Sequence, residues 1–297
     1  MTKKKTVAVA CFNIRCAADR RISYIELLES AFKLRKAVHV FGSVALILRT
    51  MSRSKSGLDG IISKFTDFDK MSDWINLDNL DIAKASDLRE VNIPDNLRPG
   101  MKSFNYQFNE INHKLYIQTY GDDGSLSVRQ ITIHLRNLFR EQEIIDEYGE
   151  IYITPVTWAD DIISMANLIN ISKFEIFIQP PNPDDIPDLE EEILEKLRKK
   201  KAASIKEVFS AADSDGISID LELEQLSIVA SRNGYVSMHG KNKKTGAPGD
   251  YKSTDHPATV AIKYDPDKKI EGMAFIDAVD EFKAKERAEI HKRANRQ

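Results

Sequence analysis

Phe104-Asn105-Tyr106-Gln107-Phe108 and, after a short gap, Lys114-Leu115-Tyr116-Ile117-Gln118-Thr119-Tyr120 look like two strands of a hairpin joined across Asn109 to His113. A helix from Ser127 to Ile145 is expected next. At about 100° per residue, Val128, Ile131, Leu135, Leu138 and Phe139 share one face, and Arg129, Arg136 and Arg140 form a narrow stripe beside it. A hairpin running straight into a helix breaks strict βαβ alternation. The expected class is therefore α+β, with two domains of mixed content and largely antiparallel sheets.

Upstream, Val7 to Arg15 is rich in Val and Ile and alternates loosely, so it reads as a strand. Ser23, with Glu26 in capping-box spacing, opens a helix whose face is marked by Ile25, Leu28, Ala31 and Phe32 up to Lys36. Val38 to Met51 reads as one long strand, bent or bulged at Gly42, with Gly60 to Phe68 as its partner. Residues 69 to 103 are mostly connection, with Trp74 and Ile75 expected to anchor it to the core.

Downstream, Glu150 to Val156 and Lys173 to Gln179 are expected strands around a helix from Asp160 to Leu168. Residues 179 to 183, Gln-Pro-Pro-Asn-Pro, stop the second strand. From Asp184 to Glu195 there are seven carboxylates and no base, and then Lys196, Arg198, Lys199, Lys200, Lys201 and Lys206 reverse the sign. Acids first and bases last complement a helix dipole. Ile217 to Leu221 reads as a strand, Glu222 to Arg232 as a helix, and Gly234 to Gly240 with Pro257 to Tyr264 as a hairpin around a polar loop. Phe275 to Arg296 reads as a terminal helix whose stripe of Phe275, Ala278, Val279 and Phe282 fades into a basic tail. The expected division falls between residues 157 and 158, with a second possible break at Pro180 to Pro187.

The chain has 297 residues, 42% hydrophobic and 30% charged, which excludes global disorder and collagen-like structure. No apolar run approaches a membrane span, and Asn13 and Arg15 interrupt the only early apolar stretch, so the expected location is the cytoplasm without membrane insertion. Cys11 and Cys16 lie an odd number of residues apart in a strand and should point to opposite faces, which disfavours a disulfide or zinc site. The net charge of −3 hides a partition, because residues 1 to 55 carry twelve Lys or Arg against three acids.

No motif identifies a reaction. Six histidines stand in no metal-ligand spacing, His134 being read as an ordinary packed or surface residue on its helix, and no cofactor is expected. Asp213, Asp215 and Asp220 are the sharpest acidic cluster, and they could serve a metal-dependent nuclease. Asp213-Ser214-Asp215-Gly216 is equally the composition of a helix stop and turn. Asp184, Asp185 and Asp188 read as a helix start.

Basic surfaces are the better candidates. His239, Lys241, Lys243 and Lys244, set between glycines in a hairpin, can reach phosphates along a duplex, where counterion release gives sequence-tolerant affinity. Arg198, Lys199, Lys200 and Lys201, and the stripe of Arg129, Arg136 and Arg140, are secondary candidates. The partner is expected to be DNA, with RNA still open. A protein-interaction module, with the terminal helix docking a partner or a second copy, is a third reading.

At this hairpin Asn233-Gly234-Tyr235-Val236-Ser237-Met238-His239-Gly240-Lys241, followed by Gly249-Asp250-Tyr251, resembles the basic strand and hairpin of the RexA family of phage-exclusion proteins. The order of elements through residues 104 to 265 is also similar. Asn13-Ile14-Arg15, the Gly60 to Phe68 strand with Trp74 after it, and Phe174 to Asp184 resemble a bacterial family of unknown function related to RexA. The resemblance implies a two-domain α+β homodimer that binds DNA in abortive-infection phage defence, without catalysis, and acts with a partner protein at the membrane. It puts His239 and Lys241 at the family's basic hairpin positions. His239 stands where the better-known member has arginine, a weaker contact that Lys243 and Lys244 can offset.

Overall fold

A computed structural model describes residues 3–17, 22–68, 73–88, 93–181 and 188–294. The chain opens with β1 (Lys5–Cys16), α1 (Tyr24–Lys33), β2 (Val38–Phe41), β3 (Val44–Ser54) and β4 (Gly57–Thr66). A small excursion holds β5 (Ile75–Asn76), β6 (Asp81–Ile82) and α2 (Ala85–Leu88). Next come β7 (Lys102–Asn109), β8 (Lys114–Gly121), β9 (Gly124–Ser125), α3 (Val128–Leu138), α4 (Gln142–Tyr148) and β10 (Ile151–Pro155). The remainder is α5 (Ala159–Leu168), β11 (Ile169–Ile178), α6 (Asp188–Lys200), β12 (Ile205–Ser210), α7 (Leu221–Asn233), β13 (Gly234–Asn242), β14 (Tyr251–Lys252), β15 (Thr259–Tyr264) and α8 (Glu271–Ala294).

The fold is α+β. A nine-stranded antiparallel sheet runs β10-β1-β8-β7-β4-β3-β2, with β15 also on β1 and β9 on β8. Its centre is β1, which meets β15 along Lys5–Ala10 and β10 along Phe12–Cys16, both on the edge opposite β8. Ala10, Phe12, Ile14 and Cys16 enter a core with α1, α3 and α4, while Val7, Val9 and Cys11 enter another under α8. The two thiols therefore lie on opposite faces, as the odd spacing requires. A second sheet, β12-β11-β13-β14, is also antiparallel and carries its own core.

Local chemistry explains the helix starts. Ser23 Oγ accepts from Glu26 N ahead of α1, and Ser127 with Gln130 forms a reciprocal capping box ahead of α3. The expected single helix from Ser127 to Ile145 is two helices. The chain breaks at Phe139 to Glu141, which lets Ile144 and Tyr148 turn into the same core as Leu135 and Leu138.

Other expectations are corrected. Val38 to Met51 is not one bent strand: Gly42, at φ +51°, occupies the left-handed region and reverses the chain between β2 and β3. Ile75 is 64% exposed and anchors nothing, whereas Trp74 packs edge-on against Phe68. Ile217 to Leu221 is irregular up to the start of α7, and its place in the sheet is taken by β12, which lacked a clear period. Gly234 to Gly240 and Pro257 to Tyr264 do not pair with each other. β13 pairs with β11 and β14, while β15 crosses to β1 in the large sheet.

That crossing also means that β15 and α8 join the sheet built by the first half of the chain, so a boundary at 157 and 158 does not separate two contiguous structural halves. Phe275, Ala278, Val279 and Phe282 are all buried there, so the terminal helix spends its apolar stripe on this chain's own β1 and β15 rather than offering it to a partner. Among the described residues, no helix is long and apolar enough to cross a membrane.

Candidate nucleic-acid interface

Alternation along β11 and β13 sorts the second sheet into two unlike faces. Phe174, Ile176, Ile178, Val236 and Met238 are buried against Ile162 of α5, Leu197 of α6 and Leu226 of α7. The other face carries Asn170, Lys173, Glu175 and Phe177 on β11, opposite Lys241, His239, Ser237 and Tyr235 on β13. Among the described residues, the helices of the second core pack on the opposite, apolar face. Gly240 permits the close pairing at its far end, because a Cβ there would sit 2.0 Å from the Asn170 carbonyl oxygen.

Beyond Lys241 the chain turns back tightly. Asn242 Oδ1 accepts from Lys244 N at 2.9 Å and Thr245 N at 3.1 Å, and Gly246 takes φ +69° to close the turn. Gly249 N then donates to Gly240 O at 2.9 Å, and β14 pairs back onto β13. The side chains of Lys241, Lys243 and Lys244 are exposed and have no hydrogen-bond or ion-pair partner among the described residues. His239 is different: its Nδ1 lies 3.0 Å from Asp250 Oδ1.

The arginine stripe splits. Arg129 and Arg136 line a cleft of about 740 Å³ together with Tyr235 and Lys252 of the second sheet. Arg136 Nη2 donates to the Ile153 carbonyl at 3.3 Å, and burial, with Arg140 nearby, lowers its pKa. Arg140 is exposed past the end of α3, outside the cleft lining. Within the sheet, Tyr235 and Phe177 have ring centroids 5.3 Å apart, and Lys252 Nζ stands 4.8 Å from the Tyr235 centroid. The Tyr235 hydroxyl donates to Glu175 Oε1 at 2.7 Å, and Lys206 Nζ lies 3.0 Å from the same oxygen. Burial and then that carboxylate push the Tyr235 pKa to about 12, while the Tyr235 hydroxyl and Lys206 hold Glu175 low.

The basic run does not join this surface. Arg198, Lys199, Lys200 and Lys201 end α6, which packs on the sheet's buried face through Ile193 and Leu197, and Lys199 pairs with Glu195 at 3.1 Å. The acidic cluster makes local turn and cap contacts. Asp213 Oδ1 accepts from Asp215 N in a turn, and Asp220 Oδ1 caps α7 by accepting from Leu223 N. Among the described residues, no three His, Cys, Asp or Glu side chains converge to hold a metal. Asp184 and Asp185 lie outside the described residues, as does the side chain of Asp188.

Several of the early cations do structural work. Lys5 pairs with Asp122 at 2.6 Å, Arg53 with Glu29 at 2.8 Å, and Arg15 donates to the Pro181 carbonyl. Sequence reasoning missed Lys173, Phe177 and Lys252. Only the period of two along β11 signals the outward position of Phe177, and the apolar Ile176 and Ile178 mask it.

No curated protein matches the chain. The model of DUF4747, a domain of unknown function, matches residues 5–280, so the chain belongs to that family.

Proposed function

We propose that the chain is a non-catalytic, largely sequence-tolerant DNA-binding protein that acts in the cytoplasm as a homodimer, in anti-phage defence of the abortive-infection type. One observation carries the DNA-binding part: Lys241, Lys243 and Lys244 project from the β13–β14 hairpin without partners among the described residues. Free ammonium groups on a narrow ribbon can follow a phosphate backbone and release its counterions, which requires no base contact. The defence role and the dimer rest on the RexA resemblance of residues 233 to 251. With a net charge of −3 for the whole chain, affinity comes from a local patch and is easily screened.

The test is a salt titration of binding to several unrelated duplexes by fluorescence anisotropy. Replacing Lys241, Lys243 and Lys244 together by alanine should weaken binding to all of them and flatten the log–log salt slope by about 2 to 3. A triple variant that binds as tightly as the parent, with the same slope, removes the hairpin assignment. Light scattering of the pure protein tests the homodimer, which a monomer mass at working concentration overturns.

A further inference from the structure

The cleft beside Tyr235 brings together two features that backbone contact by the hairpin tip does not use: cations without a carboxylate partner in a recess, and a half-buried aromatic pair on the polar face of the sheet. Arg129 and Arg136 enter it from α3 and Lys252 from β14, and none of the three has a carboxylate within ion-pairing distance among the described residues. Among the described residues, Asp255 is the only carboxylate on the lining. Phe177 and Tyr235 pair in register across β11 and β13, with ring planes 25° apart. From Tyr235 the same face of β13 runs six residues to Lys241, roughly 20 Å at the usual strand rise.

We propose that this face is a track for single-stranded nucleic acid, with phosphates held at Arg129, Arg136 and Lys252 at one end and at Lys173 and Lys241 toward the other, and bases lying across the Phe177–Tyr235 pair. The proposal rests on the reading that the chain binds nucleic acid and names the form that this face takes. A duplex keeps its base faces inside its own stack, so an aromatic pair adds nothing to binding it. A single strand offers those faces, and an antiparallel sheet with half-buried rings beside a cationic groove can take both parts of it. The one carboxylate amid the rings, Glu175, is neutralised by Lys206 at 3.0 Å and bonded to the Tyr235 hydroxyl, so it holds the ring in place instead of repelling a phosphate. The cations of the track outnumber the other acids on its margin, Asp250 and Asp255.

The test uses the full chain and anisotropy titrations at low salt, with oligothymidylate and oligouridylate strands of about 15 nucleotides and a duplex of the same length. An Arg129→Gln/Lys252→Gln variant, which changes two surface side chains, should lose about tenfold or more on the single strands and stay within about twofold on the duplex. Tyr235→Phe, which keeps the ring, should retain single-strand affinity, and Tyr235→Leu should lose about fivefold or more. Binding of either sugar at the cleft supports the proposal, and a preference between the two strands tells DNA from RNA. Single-strand affinity unchanged in both Arg129→Gln/Lys252→Gln and Tyr235→Leu overturns it. Wild-type protein that binds the duplex but neither single strand also overturns it and leaves the hairpin reading standing. Loss of single-strand affinity in the cleft variant, with duplex affinity unmoved by the triple alanine change, supports this proposal and overturns the hairpin assignment alone.

Discussion

Asp250 Oδ1 stands 3.0 Å from His239 Nδ1 across the base of the β13–β14 hairpin, which places a carboxylate beside the exposed imidazole. Under the proposed function, a phosphate approaching the hairpin meets that carboxylate as well as the imidazole. Changing Asp250→Asn keeps a hydrogen-bond acceptor for the ring and removes the like charge. At a separation of several ångströms in high dielectric, the repulsion removed corresponds to a gain of about threefold in nucleic-acid affinity. The gain should shrink as salt is raised, because exposed charges are screened. Anisotropy titrations at low and high salt check this, and an affinity that falls in Asp250→Asn would show that Asp250 orients the hairpin rather than opposing its ligand.

A second prediction concerns the buried polar seam between the two sheets. Arg232 Nη1 lies 3.3 Å from Glu190 Oε1, Asn233 Nδ2 donates to the same oxygen at 3.2 Å, and Asn13 Nδ2 donates to Asn233 Oδ1 at 3.0 Å. Burial pushes the Glu190 carboxyl upward in spite of Arg232, so the desolvation cost outweighs the attraction. Arg232→Met leaves that carboxyl buried with its cation gone and should cost about 3 to 5 kcal/mol. Adding Glu190→Gln, which still accepts from Asn233, should return much of the loss. Urea unfolding of the parent, both single variants and the double variant measures the coupling, and strictly additive changes would mean that the pair does not interact.

The seam and the site differ in how far they could be read from the residues alone. Period two along Val7 to Arg15, the Ser23–Glu26 spacing and the Phe104 to Tyr120 hairpin are local, and each appears where the pattern places it. Partner choice is not local. Gly234 to Asn242 and Thr259 to Tyr264 both read as strands, yet Val9 of β1 rather than β13 pairs with Val260. Alternation fixes which face a side chain takes and says nothing about which edge the strand joins. The hairpin lysines are legible because a polar, glycine-flanked run between strands has to be a turn. The cleft is not, since Arg129 and Tyr235 come to line it together only in the folded chain, and the spacing of α3 yields a stripe with no indication of what faces it.

His134 supplies the last prediction, on stability against pH. It sits on α3 among Ile131, Leu135 and Leu138, fully buried, with neither ring nitrogen hydrogen-bonded, so the reading of an ordinary packed histidine leaves out its cost. Burial lowers its pKa from 6.5 to about 4. Because the folded value is depressed, the unfolded chain takes up the proton first as pH falls. The stability linked to this residue is therefore complete above about pH 6.5 and is lost progressively toward about pH 4. At about pH 4.5 the loss amounts to about 2 kcal/mol. In His134→Leu that loss is absent, and the buried nitrogens without partners are gone as well. Urea unfolding of both proteins at about pH 7 and about pH 4.5 should show the parent losing about 2 kcal/mol more than the variant between the two conditions. Carboxylates elsewhere titrate in both proteins and cancel in the comparison. Equal losses would mean that the ring is protonated or solvated in the folded protein, and the packing of α3 against the large sheet would then need a water or an acceptor beside His134.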